Sequence, residues 1–383
     1  MSSKVEVAVV GAGPAGSTAA EAAANAGAEV LLIERKREIG TPVQCGGFLP
    51  DAGELQELLP QASLPQTLLD LPAACVLHRT KLQRLYAPSG RSKEFPVAAR
   101  VVDRRAFDRY LAMRAARAGA RVLPATRARL AAGGLKLSGR SSTSVCPGAI
   151  IGADGPSSVI SRGMGNRAGQ RGICLQYEMA DVAIDPGAAE MYFSARYAPG
   201  GYAWIIPLGQ DTANVGIGVR STYMGDASLR QLLDDFINEH PIARERLQGG
   251  EVLAVMHGLV PASGAPRILQ KDNLLLAGDA AGQVMATSGG GIPLAVVAGR
   301  IAGEIAADHV HGHGALEEYP SRVYRELGRE LERSVRIRKM LDGIMGSDRM
   351  MDALFAALGP EHMKAVMRAQ IPDALKIVRE LVG

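Results

Sequence analysis

Short apolar runs that stop abruptly on glycine recur at three distant points of the chain. Residues 5–10 run into Gly11-Ala12-Gly13-Pro14-Ala15-Gly16, Ile150-Ile151 closes on Gly152-Ala153-Asp154-Gly155, and Leu274-Leu275-Leu276 breaks into Ala277-Gly278-Asp279-Ala280-Ala281-Gly282. Uninterrupted runs of this length, without polar alternation, predict strands buried on both faces. An Ala-rich helix follows the first run, a second strand is expected over residues 28–33, and an Ala/Gly-rich helix over residues 293–307. The stretch from Val102-Asp103-Arg104 opens a helix reaching about residue 118, with a strand near Arg121. Between residues 173 and 261 the pattern turns to strands, expected at 175–182, 189–194, 202–207 and 213–219. From about Gly314 onward it is helical, and over residues 322–338 Val323, Leu327, Leu331 and Val335 form one apolar stripe opposite many arginines. Such a stripe fits first a surface helix lying on the core, and alternatively one facing acidic headgroups or an acidic carrier.

Two strand–glycine–helix units at opposite ends of one chain read as two contacts on one long dinucleotide, which points to FAD. In the first unit Gly11 permits the tight turn, Gly13 lets the backbone approach a pyrophosphate, and Gly16, beside Ala15, lets helix and strand pack closely. The helix N-terminus then offers free N–H groups and partial positive charge to the phosphates. Glu34 ends the second strand at the spacing expected of an acid holding a ribose diol, and it would repel a 2′-phosphate. Arg35, Lys36 and Arg37 are therefore read as solvated turn charges.

Composition narrows the class. The 383 residues suffice for two domains and a large core. Aromatics are only 4% of the chain, so any aromatic motif stands out. No apolar run approaches the ~20 residues that span a bilayer, and residues 4–10, already a strand, do not resemble a signal peptide. The four cysteines, Cys45, Cys75, Cys146 and Cys174, have no CxxC spacing, so neither a zinc site nor a disulfide framework is indicated and a reducing cytoplasm is expected. The formal net charge of +4 is too small at this length to argue for nucleic acid.

The order GxGxxG, then Gly152-Ala153-Asp154-Gly155, then Gly278-Asp279-Ala280-Ala281 resembles the flavoproteins typified by para-hydroxybenzoate hydroxylase. The resemblance implies an α/β fold: a Rossmann-like FAD-binding domain, an inserted antiparallel β-sheet substrate domain and a helical C-terminal part. The expected division is residues 1–165 (with an excursion into the substrate domain near 72–98) and 266–312 for FAD, 166–265 for substrate, and 313–383 helical. It also implies that Asp279 bonds the flavin ribityl chain, that Gly290, Gly291 and Ile292 face the flavin pyrimidine, that Arg104 reaches the cofactor and the backbone near Ala128 the adenine, and that Asp154 lies at the cofactor. A helix N-terminus beside the pyrimidine suits the negative charge that gathers there on reduction. An aspartate such as Asp154 serves equally as a turn residue or helix cap.

Two local motifs go further. Pro42-Val43-Gln44-Cys45-Gly46-Gly47-Phe48, and Tyr202-Ala203-Trp204-Ile205-Ile206-Pro207 followed by Gly216-Ile217-Gly218, resemble the Cys-x-Gly loop and the YxWxFP…GxG segment of the geranylgeranyl reductase family, with the archaeal digeranylgeranylglycerophospholipid reductases as the nearest branch. Ile206 departs from the family's usual Phe, and Met285-Ala286 from its usual proline before the glycine run. The resemblance implies saturation of isoprenoid double bonds in membrane lipids by hydride from reduced FAD plus a proton. Tyr202, Trp204, Ile206, Pro207, Gly216 and Gly218 would form the substrate site, with Ile205 and Met191 as further apolar lining. Cys45, with Gly46 and Gly47, would stand beside the flavin as proton donor or gate; a free thiol, ordinarily with pKa about 8.5, is mostly protonated at neutral pH. The many C-terminal methionines suit a long flexible ligand.

Rival readings share the fold: a flavin monooxygenase acting on an aromatic, a flavin halogenase, whose WxWxIP segment is similar to residues 202–207, and, without catalysis, a prenyl-lipid escort. Oxygen-dependent reoxidation to product marks the first two, and a colourless protein the third. No second GxGxxG is found, so NADPH would bind only transiently as electron donor, and ferredoxin serves equally. The expected partners are an isoprenoid lipid and such a donor, with peripheral contact at the inner membrane face.

Overall fold

The computed structural model describes residues 5–139, 142–167, 169–265 and 268–372; the last eleven residues of the expected C-terminal part lie outside them. Three sheets organise these residues. The first has six strands, in the order Gln270–Lys271, Leu274–Leu276, Ala149–Gly152, Val7–Val10, Val30–Ile33 and Arg121–Leu123. Its central strands pair in parallel, and the three glycine-stopped runs lie side by side: Val10 pairs with Gly152, and Gly152 with Leu276. All four residues of Val7–Val10 and of Val30–Ile33 are buried, as unbroken apolar runs require.

Helices Pro14–Asn25 and Ile292–Val310 pack against each other on this sheet. Gly299 and Gly303 let them approach so closely that a Cβ on either would lie 3.0 Å from the carbonyl carbon of Ala15 or Ala19. Helix Arg104–Arg117 packs beside them, its N-cap Asp103 accepting from Arg105 N at 2.8 Å. A three-stranded sheet, Arg127–Ala131, Gly134–Ser138 and Ser142–Val145, covers the other face.

The eight-stranded sheet gathers distant segments: Glu251–Pro261, Arg171–Ala180, Ala213–Arg220, Tyr202–Pro207, Ala188–Tyr192, Val76–Tyr86, Ser92–Val102 and Phe48–Pro50. Alternation sorts its two faces. Leu175, Tyr177, Ala203, Ile205, Val215 and Ile217 pack against Leu232, Leu233 and Phe236 of helix Leu229–Glu239. That helix and its successor Pro241–Leu247 interrupt what the sequence pattern suggests is an all-strand region. Their signal is present: Leu229, Leu232, Leu233, Phe236 and Ile237 fall at helical spacing behind Ser228.

The expected single helix over residues 322–338 is three pieces: Tyr319–Val323, a π-helical turn at Tyr324–Gly328, and Arg329–Leu341. Val323, Leu327 and Leu331 are buried in the main core, so the stripe lies on the protein. Beyond the wide turn the inward face passes to Ser334, Ile337 and Arg338, and Val335 is only half-buried. A π turn takes up more residues than an α turn and so rotates the inward face. Helices Asp348–Ala357 and Pro360–Met367 follow.

Candidate active site

The first and last glycine units meet. Gly278, at φ 66°, would bring a Cβ to 2.8 Å from that of Ala15, so the Gly278–Asp279 turn sits against the start of helix Pro14–Asn25. Gly13 caps that helix without any side chain, and a Cβ placed on it would meet nothing within 4 Å. Gly11 and Gly16 stand against each other and against Ala153, which brings Asp154 beside them. Glu34 accepts from Ala12 N and Lys36 N, both at 2.8 Å, through different carboxylate oxygens. Ala128 is buried against the same sheet, where Thr126 N donates to Glu34 O at 2.8 Å. Asp154 Oδ2 accepts from Val159 N at 2.6 Å, at the start of the short helix Val159–Gly163 that Ser158 caps, while its Oδ1 is buried without a partner.

Asp279 carries the strongest electrostatic mark here. Burial pushes its carboxyl up to about 6, against the pull of the Arg104 guanidinium, and no hydrogen bond among the described residues holds it. Arg104 grips Asp108 with two bonds of 2.9 Å and lies near Cys45; burial opposes its charge, but Asp108 and Cys45 outweigh burial and its pKa is raised. Gly47 O accepts from Val102 N at 2.9 Å and Cys45 Sγ from Gly47 N at 3.4 Å, so the Cys45–Gly47 loop is tied to the start of the Arg104 helix. Gly291 begins helix Ile292–Val310 without a side-chain cap and stands beside Asp279, while Gly290 lies against Ser288.

A dinucleotide flavin fits these residues. A bare helix start at Gly13, an unpartnered carboxyl at Asp279 and a buried free oxygen on Asp154 are unmet polar demands along one cleft. Ala12 and Gly13 would hold the pyrophosphate, Glu34 the ribose, Asp279 the ribityl hydroxyls, and Gly290–Ile292 the pyrimidine.

Beside this cleft lies a cavity of about 370 Å³. Its walls include Cys45, Gly46 and Gly47, Tyr202, Trp204 and Ile206, Gly289–Ile292, and from the C-terminal helices Met351, Leu354, Phe355, Met363 and Met367. Tyr202, Trp204 and Ile206 point one way and Ala203 and Ile205 the other, so Ile205 belongs to the opposite core and not to the lining. Pro207 is buried at the strand end, paired with Ala213, and does not line the cavity. Gly216 does not line it either: it lies under the Trp204 indole, where a Cβ would stand 2.7 Å from Trp204 Cε2 and from Gln176 Cβ. Gly218, 3.5 Å from Trp204 Cζ3 by the same measure, extends that seat and reaches the cavity. Tyr202 OH bonds Ser288 O and so ties the sheet to the glycine run.

Sequence reasoning did not single out Cys174 or Gln176. Both face the cavity from strand Arg171–Ala180, alternate with Leu175 and Tyr177, and so were legible in principle by their period. Burial, with Cys45 nearby, pushes the Cys174 thiol up to about 12. Gln176 Oε1 is buried in this apolar setting with no partner.

Fold and site together define an FAD-dependent oxidoreductase of the para-hydroxybenzoate hydroxylase type, and the FAD dependent oxidoreductase family matches over residues 6–142. The geranylgeranyl reductase catalytic domain matches over residues 171–260. The chain is 35% identical to digeranylgeranylglycerophospholipid reductase 2 of Methanothermobacter thermautotrophicus, over 99% of this chain and 100% of that one. It is 36% identical to digeranylgeranylglycerophospholipid reductase of Methanocaldococcus jannaschii, over 98% of each. A geranylgeranyl bacteriochlorophyll reductase-like protein of Thermoplasma acidophilum superposes with a TM-score of 0.85 at 28% identity, covering 99% of both chains. A flavin-dependent brominase superposes at 0.74 with 17% identity over 99% of this chain and 98% of its own, a likeness of fold alone. The protein belongs to the geranylgeranyl reductase family, among the digeranylgeranylglycerophospholipid reductases.

Proposed function

We propose that this protein saturates the carbon–carbon double bonds of geranylgeranyl chains carried by membrane lipids, with residues 202–206 and the C-terminal helices enclosing the chain. The cavity carries this reading: its wall is mostly apolar, rich in methionine, leucine and aromatic side chains, and runs from the Cys45–Gly47 loop to the helices at 348–367. An isolated prenyl double bond is unpolarised, so it must be held in a dry slot while hydride and proton are added across it.

When bound, FAD supplies the hydride. Trp204 fixes one wall, held by a hydrogen bond from its Nε1 to Asn214 Oδ1 at 2.7 Å. Cys45 Sγ gives its proton to the second carbon, with the Arg104 guanidinium nearby to offset the negative charge left on sulfur. Solvent then returns the proton.

The donor that re-reduces the protein is ferredoxin or NADPH, and the lipid is taken up at a membrane face. No helix among the described residues is long and apolar enough to cross a membrane. Exposed Val252, Leu253 and Val255 on an edge strand support a peripheral contact. The division proposed assigns residues 1–165 and 266–312 to the cofactor part and 166–265 and 313–383 to the substrate parts, with strands Phe48–Pro50, Val76–Tyr86 and Ser92–Val102 lent to the sheet over the substrate.

The test is dithionite-reduced protein with a geranylgeranyl lipid under anaerobic conditions, followed by mass spectrometry. Each saturated bond adds two hydrogens. Prenyl chains left intact, with an aromatic oxidised or halogenated in air instead, would overturn the reading.

A further inference from the structure

The wall of the lipid cavity contains two buried arginines that share one carboxylate. Arg220 ends strand Ala213–Arg220 on the same face as Gly216 and Gly218, about 7 Å along the strand from Gly218. Arg338 comes from helix Arg329–Leu341, and each side chain is only 8% exposed. Both bond Asp342, which, among the described residues, is the only carboxylate that either meets. The remaining donors are poorly used. Arg220 Nε donates to Gly200 O at 2.6 Å, but its Nη2 has only Met345 Sδ at 3.9 Å. Arg338 Nη1 also reaches Gln170 Oε1 at 3.2 Å, while its Nε is buried with no partner.

Two positive charges against one negative leave a net positive charge in a sparsely hydrated place, an arrangement that is unfavourable until an anion pairs with it. The other cations in the cavity wall differ. Arg368 is matched by Glu54 and Glu57, and Lys364 lies 3.9 Å from Glu54, so that end carries no surplus. An apolar slot with one unbalanced cationic end suits an amphiphile whose polar end is anionic. Guanidinium forks bind phosphate oxygens in pairs.

We infer that Arg220 and Arg338 form a subsite for the phosphate at the polar end of the prenyl lipid, with Asp342 setting its net charge. This rests on the proposed function, since the apolar slot must hold the prenyl chain.

The FAD-loaded protein is titrated with digeranylgeranylglyceryl phosphate, with the same lipid lacking phosphate, and with inorganic phosphate alone. Fluorescence of Trp204, the only tryptophan in the sequence and itself in the cavity wall, reports binding. Wild type binds the phosphorylated lipid more tightly, and inorganic phosphate competes with it but not with the neutral lipid. Arg338→Met lowers the ratio of the two affinities by about 10–100-fold. Asp342→Asn raises that ratio, a gain that a merely structural ion pair does not produce, and it keeps the test alive should Arg338→Met fold poorly. Equal affinities in wild type with both lipids saturated, or a lowered ratio in Asp342→Asn, overturn the subsite and leave the proposed function standing. Binding of inorganic phosphate without any preference for the phosphorylated lipid makes it a free-anion site and also overturns it. If neither lipid binds, subsite and proposed function fall together.

Discussion

Trp204 Nε1 donates to Asn214 Oδ1 at 2.7 Å, and that same oxygen stands 3.0 Å from the position a Cβ on Gly46 would take. One amide thus holds the indole on one side and abuts the Cys45 loop on the other. Wall and thiol are positioned together, although Cys45 and Trp204 lie 159 positions apart in the sequence.

The seat of the indole is tested by Gly216→Ala. Its methyl would overlap the ring, and overpacking of this kind destabilises by about 1–3 kcal/mol. We expect a lowered melting temperature and a shifted Trp204 emission with FAD retained; an unchanged spectrum would show that the indole does not rest on Gly216.

Cys45→Ser and Trp204→Ala should separate chemistry from binding. Loss of a general acid slows reaction by about 10²–10⁴-fold, so Cys45→Ser keeps FAD and lipid but saturates slowly. Trp204→Ala removes apolar wall, and lipid affinity falls by about 2 kcal/mol or more, as at an aromatic hot spot. Anaerobic single-turnover mass spectrometry and lipid titration check the two; a wild-type rate in Cys45→Ser reduces that thiol to packing.

Gly13→Val should fold and be colourless. Gly13 has φ −78°, which any residue adopts, and no protein atom lies within 4 Å of its missing Cβ, so only a pyrophosphate in that space is displaced. The absorption spectrum decides, and a variant with normal flavin content moves the cofactor elsewhere.

Asp279→Ala should weaken FAD retention by about 1.5–3 kcal/mol, the range for hydrogen bonds to a charged group. In FAD-free protein its carboxyl is held up to about 6. Between about pH 4, where an unfolded aspartate ionises, and pH 6, the folded state keeps a proton that the unfolded chain has released. Stability contributed at this site therefore falls as pH rises through that window. Melting curves of wild type and Asp279→Asn across pH 4–7 should differ by that slope; parallel profiles would show that Asp279 is not so buried.

Much of the scaffold was legible because it is written in local pattern. Unbroken apolar runs at Val7–Val10 and Leu274–Leu276, too short for helices and each followed by glycine, read as buried strands feeding tight turns. Alternation around Trp204 sends Tyr202 and Ile206 one way and Ile205 the other, and the sequence reading erred on Ile205 only by not applying that period. The helix Leu229–Glu239 was likewise present in its spacing. Tertiary structure alone decided that Cys174 stands near Cys45, that Gly216 is a floor for Trp204 and not a lining, and that Arg220 and Arg338 share Asp342. The π turn at Tyr324–Gly328 had no local signature, and Arg338, two turns past Leu331 on the same face of the following helix, reaches the cavity wall. Such pairings depend on cross-strand register and on how helices settle over a sheet, energies summed over many distant contacts, whereas periodicity reports only which face of its own element a residue occupies.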